Sequence, residues 1–196
     1  MATDTEKGLL IVFSGPSGCG KGTLVSEILK RRDDTVLSVS VTTRAPREGE
    51  IDGVHYYFIT NEQFERMIAE DALLEYARYS GNYYGTPRAA VENQLRAGRN
   101  VILEIEVQGA MQVMSNCDEY VSVFLTVPSM EELERRLRGR GTEEESRIQA
   151  RLNAAAFELS HIDRYQYTIL NDEVDAAAEQ FNTIIETEKA RKRSTP

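Results

Sequence analysis

Tryptophan is absent from these 196 residues, and only two cysteines, two histidines and five prolines occur. Cys19 and Cys117 stand far apart and lack the paired spacing of a zinc site, which excludes a disulfide or metal framework. No apolar run approaches the ~20 residues of a membrane-spanning helix. The first ten residues carry Asp4 and Glu6 ahead of a short apolar stretch, not the basic start of a secretory leader. A cytoplasmic address with both cysteines as reduced thiols is expected, and no membrane partner. With 41% hydrophobic and 28% charged residues, the composition is that of a globular domain with its own core. No heptad or isolated apolar patch marks an oligomer interface.

Lysine is scarce as well: 18 of the 23 basic residues are arginine. The net charge of −9 excludes a general nucleic-acid binder, which needs a basic footprint to displace counterions. Arginine's planar fork nevertheless suits bidentate contact with phosphate. Small phosphorylated ligands fit both facts.

Near-continuous apolar runs at 9–13, 101–105, 121–127 and 167–170 read as buried strands of a parallel sheet, separated by amphipathic helices. Leu24, Val25, Ile28 and Leu29 give the first helix one apolar stripe. Ala176, Ala177, Phe181, Ile184 and Ile185 do the same for the last. Ser129 with Glu132 and Thr142 with Glu145 fit the capping box. The class is α/β. Between residues 36 and 87 the alternation stops, and the segments 37–42, 55–59 and 74–79 are short and rich in Tyr and Thr, with one helical stretch near 61–70. Six of the nine tyrosines lie between Tyr56 and Tyr84. This predicts a small, partly antiparallel lobe inserted into the core. The basic end, 189–193, reads as a solvated helix terminus complementing the dipole.

The strongest local signal is Gly15-Pro16-Ser17-Gly18-Cys19-Gly20-Lys21-Gly22-Thr23, between a buried strand and an amphipathic helix. Its glycines let successive N–H groups curl around a phosphate at the helix N-terminus, and Lys21 adds a charge near the β and γ oxygens. The pattern expects Ser or Thr directly after the lysine as a magnesium ligand; here Gly22 takes that place and Thr23 follows. Magnesium is therefore expected to be held mainly by phosphates and water, with Thr23 or a later carboxylate such as Glu104. Cys19 sits where a helix N-terminus would stabilise a thiolate, although a small residue that merely fits the turn is the plainer reading.

A second anion site is suggested by Arg44 and Arg47, three apart on a Pro-fixed turn in the stretch 38–50. Two guanidinium groups can grip one phosphate, and a tyrosine hydroxyl such as that of Tyr56 can complete the clamp. The sequence then carries Glu75, Gly81-Asn82-Tyr83-Tyr84-Gly85-Thr86, Leu103-Glu104-Ile105-Glu106-Val107-Gln108-Gly109-Ala110 and Arg138-Gly139-Arg140-Gly141-Thr142. Together with the phosphate loop these motifs stand in the order found in guanylate kinases, and the chain resembles that family from about Leu9 to the last helix.

The resemblance implies a P-loop nucleoside monophosphate kinase with a core (1–36 and 88–196), a GMP-binding lobe (37–87) and a lid (138–150). It implies that Arg44, Arg47, Tyr56 and Tyr84 hold the GMP phosphate, that Ser40, Glu75 and Thr86 read guanine, and that Asn171 and Asp172 border the ATP base. Guanine's adjacent N1–H and 2-amino donors suit one carboxylate. Glu104 is similar to the family's acidic residue near magnesium, and Glu106 to a further contact on guanine; both stand where Asp is common. Lys21, Arg136, Arg140 and Arg151 fall where the transferring phosphoryl is stabilised. The segment 131–151 also carries six glutamates among its six arginines, so several of these serve helix-surface ion pairs. The expected reaction takes ATP and GMP or dGMP to ADP and the diphosphate. The alternatives are an inactive protein-binding module of the same fold, or a kinase of another phosphorylated acceptor.

Overall fold

The LIVFS run at Leu10–Ser14 (β1) is buried at every position, as a strand must be when helices cover both faces of its sheet. The computed structural model describes residues 6–79, 81–139 and 144–194, and among them the chain forms nine strands and seven α-helices. From β1 the chain passes to α1 (Lys21–Arg31) and β2 (Thr35–Leu37), then to β3 (Val41–Thr42), β4 (Tyr57–Phe58), α2 (Asn61–Ala69), β5 (Leu73–Tyr79) and β6 (Asn82–Pro87). It continues through α3 (Arg88–Arg96), β7 (Asn100–Glu104), α4 (Val107–Asn116), β8 (Val121–Thr126), α5 (Met130–Arg138), α6 (Glu145–Leu159), β9 (Tyr167–Leu170) and α7 (Val174–Ser194).

The core sheet has the order β2-β7-β1-β8-β9, parallel at every pairing. The four expected core strands are there: β9 spans the expected 167–170, and the other three differ by one residue at one or both ends. A fifth, β2, is too short to show a period in sequence. Buried Asn100 locates it: its Oδ1 accepts the Leu9 N–H at 3.2 Å and its Nδ2 donates to Thr35 Oγ1 at 3.1 Å. Alternation along β1 sends Ile11 and Phe13 to the face covered by α1 and α7, and Leu10 and Val12 to the face covered by α3 and α4. Phe13 meets Phe181 of α7 edge to face, ring centroids 5.3 Å apart. Ala177 and Ala178 are buried beside it, whereas Ala176 faces solvent.

A second sheet, order β4-β3-β6-β5, is mixed: β3 pairs in parallel with β4, and β6 is antiparallel to β3 and β5. Val41, Phe64 and Leu73 form its small separate core. Thr60 caps α2 with a complete capping box through Gln63, and Ser129 accepts the Glu132 N–H at 3.2 Å at the start of α5. The expected pairing of Thr142 with Glu145 lies outside the described residues, as do Ser80, Arg140 and Gly141. The basic end of α7 is tied down: Lys189 bonds Asp34, Lys192 the Lys7 carbonyl and Arg193 Glu6. Among the described residues no helix is long and apolar enough to cross a membrane, and Cys19 and Cys117 are free thiols.

Candidate active site

The turn from β1 into α1 curls because its glycines take conformations closed to other residues. Gly20, the residue before α1, has φ +98°, and a Cβ there would lie 2.5 Å from Asn171 Nδ2. Gly15 passes so close to β8 that a Cβ would lie 2.2 Å from the Leu125 carbonyl oxygen. The run Pro16, Ser17, Gly18 and Cys19 closes the loop, with the Cys19 N–H donating to the Pro16 carbonyl at 3.1 Å. Lys21 folds back, its Nζ donating to the Gly15 carbonyl at 2.5 Å and to that of Pro16 at 3.2 Å. Cys19 is fully buried; burial pushes its thiol up despite the opposing Lys21 charge, so it packs as a small neutral residue. A Cβ on Gly22 would meet nothing within 4 Å, and Thr23 beside it is exposed.

Behind the loop, three elements are pinned together. Asn171, just after β9, donates from Nδ2 to the Cys19 carbonyl at 2.7 Å, and its buried Oδ1 has no hydrogen-bond partner among the described residues. Arg136 of α5 donates to the Asn171 carbonyl at 2.9 Å and, at 3.4 Å, to that of Cys19, with Nε on Glu132 at 2.7 Å. Each nitrogen of the Arg136 guanidinium thus makes one bond, two to main-chain carbonyls and one to a carboxylate. Asp172 is exposed next to it. Arg138 pairs with Glu134 and Glu145, the surface ion pairing expected of this segment. Arg140 lies outside the described residues.

Across the cleft, the small sheet carries the other basic group. Arg44 forms a bidentate pair with Glu50 at 2.9 and 3.0 Å and lies over the rings of Tyr56 and Phe58 at 5.5 and 5.8 Å. Both partners are largely shielded, at 15% and 17% side-chain exposure. Glu50 also accepts the Arg47 N–H at 2.7 Å. The Arg44 guanidinium, helped by that amide, holds the Glu50 carboxyl down at about 2. Tyr56 and Tyr84 meet edge to face at 6.1 Å, and burial raises the Tyr56 hydroxyl. The Arg47 side chain is exposed.

Between the two groups lies a cavity of about 370 Å3 lined by Ser17, Lys21, Ser40, Glu75, Glu104 and Glu106, among others. Glu75 is 6% exposed and Thr86 fully buried; Thr86 Oγ1 donates to Glu75 Oε1 at 2.7 Å. Burial drives the Glu75 carboxyl upward, with nearby Glu106 adding to it and Thr86 opposing. Glu104 ends β7 and Glu106 stands just before α4. Burial raises Glu104, and Lys21 opposes that rise. A contiguous cleft of about 820 Å3 holds Arg44, Arg47, Tyr84, Arg147 and Arg151 around the same Ser17. The fold therefore brings Lys21, the Arg44 and Arg47 turn, Arg151 and the acidic trio to one opening.

Glu158 of α6 was not singled out by the sequence, yet it lines both cavities. It accepts the Ser17 N–H over a long 3.4 Å, and burial raises its carboxyl against the pull of Lys21. Arg147, Arg151, Ala154 and Glu158 follow helical spacing, so one face of α6 forms this wall. That periodicity was the available signal. Gly109 of α4, also in the lining, was quoted only as part of a motif.

A parallel sheet that delivers a glycine-cradled lysine to one wall of a cleft, with paired arginines on the other, defines the class as a P-loop kinase. A family model described as guanylate kinase matches residues 7–188. The chain is 51% identical over 193 residues to the guanylate kinase of Desulfitobacterium hafniense, covering 98% of this chain and 96% of that protein. It is 50% identical over 184 residues to that of Clostridioides difficile, covering 94% and 90%. The crystal structure of guanylate kinase from Anaplasma phagocytophilum matches with a TM-score of 0.74 at 36% identity, over 94% of this chain and 87% of that one. This chain belongs to the guanylate kinase family.

Proposed function

We propose that this protein transfers the γ-phosphoryl group of ATP to GMP or dGMP. An oxygen of the acceptor phosphate attacks the γ-phosphorus, the bond to the β–γ bridging oxygen breaks, and its electron pair leaves on ADP. The observation that carries this reading is the pair of anion-binding groups on opposite walls of one cleft: the loop 15–23 with Lys21, and Arg44 with Arg47 beside Tyr56 and Tyr84. The acceptor phosphate is already an oxyanion, so no general base is required, and neither His55 nor His161 lines these cavities. The protein's work is alignment and charge stabilisation.

In this reading Gly15 to Thr23 wrap the ATP phosphates, while Asn171 and Asp172 border its base. The unpartnered Oδ1 of Asn171 suits an exocyclic amine. Lys21 leaves its loop carbonyls for the β and γ oxygens, and Arg151 of α6 and Arg140 of the lid serve the transferring group. Arg136 acts from the ATP side and reaches the transferring group only by giving up its carbonyl partners. Ser40, Glu75, Thr86 and Glu106 take the guanine edge, where an unpaired buried carboxylate would penalise a wrong base. The units that move are the lobe 37–87 and the lid 138–150 against the core 1–36 and 88–196.

The residues fit a magnesium ion that takes few ligands from the protein. Among the described residues no cluster of three metal-ligating side chains exists, which suits an ion held chiefly by phosphates and water with one carboxylate. Glu104 beside Lys21 supplies that carboxylate, or Thr23 a hydroxyl. When bound, the ion neutralises charge on the β and γ oxygens. The free thiols and the co-substrate ATP support a cytoplasmic location.

The test is a coupled phosphotransfer assay with ATP and Mg2+ against GMP, dGMP, AMP, CMP and UMP. Turnover of the guanine nucleotides alone is expected. Preference for AMP would overturn the acceptor assignment, and silence with every nucleotide would overturn the kinase.

A further inference from the structure

Glu75 sits on β5, an edge strand of the small sheet; one hydrogen bond holds its carboxylate, and two further features set the backbone that carries it. Thr86 holds Oε1 at 2.7 Å. The register of β5 against β6 slips between Leu73 and Glu75, a bulge of the kind that re-aims the next side chain. The third support comes from α4, a core helix. Gln112 Oε1 accepts the Tyr76 N–H at 3.1 Å, and its Nε2 donates to the Tyr76 carbonyl at 2.9 Å. The carboxamide thus pairs with the open strand edge one residue beyond Glu75. One turn earlier, α4 has Gly109 against the carboxylate: a Cβ there would lie 2.5 Å from Glu75 Oε2 and 3.1 Å from Cδ.

Gly109 and Gln112 are three residues apart on α4, a spacing that shares a helix face, and Glu106 stands just ahead of the helix, three residues before Gly109. We propose that this face of α4 is a positioning device: Gln112 and Gly109 set where the Glu75 carboxylate stands relative to Glu106, and thereby how strongly the pocket prefers guanine to a purine lacking the 2-amino group. Neither residue touches the reacting phosphates. The inference rests on the GMP kinase reading above. A bond that merely sealed a strand edge would stabilise the lobe for every base alike. A bond that registers Glu75 matters for the base carrying both adjacent donors, because inosine monophosphate offers only N1–H to that carboxylate.

The experiment compares GMP and inosine monophosphate as acceptors for the wild type, Gln112→Met, which keeps side-chain length without the two bonds, and Gly109→Ala. KM, kcat and Tm are measured, with Ki replacing KM where inosine monophosphate is not turned over. For Gln112→Met the KM for GMP is expected to rise about tenfold, in line with losing two neutral hydrogen bonds. The KM for inosine monophosphate should change less than about twofold, with kcat and the KM for ATP retained. Gly109→Ala should lower the same selectivity ratio, because the added methyl displaces the end of a flexible side chain while alanine favours the helix. A ratio unchanged in Gln112→Met, or equal losses on both acceptors, would overturn the inference. If Gln112→Met does not fold, the ratio in Gly109→Ala decides. A wild type that does not phosphorylate GMP would instead overturn the function reading itself.

Discussion

The two anion cradles proposed for this protein are built from different materials. The loop 15–23 is main chain and glycine, wedged between β8 and Asn171 so tightly that a single added Cβ at Gly15 or Gly20 collides. The cradle of the lobe is side chain, with Arg44 held ready by Glu50 and stacked on aromatic rings. Amide dipoles have no pKa and cannot swing away, so the first cradle suits a polyphosphate common to many enzymes. Guanidinium and phenol groups can be re-aimed, so the second suits an acceptor that must be chosen. The contrast teaches where precision is stored: in backbone packing on the donor side, and in an ion pair on the acceptor side.

Four substitutions would break or sharpen that contrast. Lys21→Ala removes the charge of the first cradle and should lower turnover by about 10^2–10^3-fold, while calorimetry finds GMP binding within about twofold of wild type. Equal loss of GMP affinity would mean that the cradles are not separable. Gly20→Ala forces a methyl into a left-handed conformation against Asn171; it should cost about 1–3 kcal/mol in urea unfolding and weaken binding of a non-hydrolysable ATP analogue more than of GMP.

Glu50→Gln releases Arg44 and should raise the KM for GMP a few-fold, as expected for a modest ion pair, leaving that for ATP unchanged. Its pH signature has a definite sign. The folded carboxyl titrates at about 2 against an ordinary 4.5, so its stabilisation is complete above about pH 4.5 and fades as pH falls toward 2. The Tm gap between wild type and Glu50→Gln should therefore be constant from pH 8 to 5 and shrink in acid. The smallest effect on activity is expected from Asp34→Asn, which touches neither cradle. Arg32 above all, with Lys189, holds the Asp34 carboxyl well below its usual range, so the substitution should lower Tm by a few degrees at neutral pH, less in acid, with unchanged kcat.

The phosphate loop was legible because its function is contiguous: strand, glycines, lysine and helix follow one another, and the collisions at Gly15 and Gly20 explain the spacing. On the proposed acceptor side the residue types carried the reading, since Arg44, Arg47 and Tyr56 suggest an anion clamp, but Glu50, the residue that anchors Arg44, reads in sequence as one more acid in a polar turn. Gln112 and Glu158 gave less still. A glutamine on a short helix and a glutamate on a long one acquire their roles only when β5 and the loop at Ser17 are folded against them. Three-residue β2 was missed for a simpler reason: a run that short has no period, and buried Asn100, which locates it, looks in sequence like a loop residue.

Lys21 shows how the phosphate loop accommodates its own charge. By resting on the carbonyls of Gly15 and Pro16, the ammonium is solvated by the very turn it serves. A nucleotide phosphate at this loop would offer Lys21 oxygen partners of the same kind as those carbonyls. The charge of the first cradle is thus balanced by the turn's own carbonyls, while the turn's form rests on main-chain packing against β8 and Asn171.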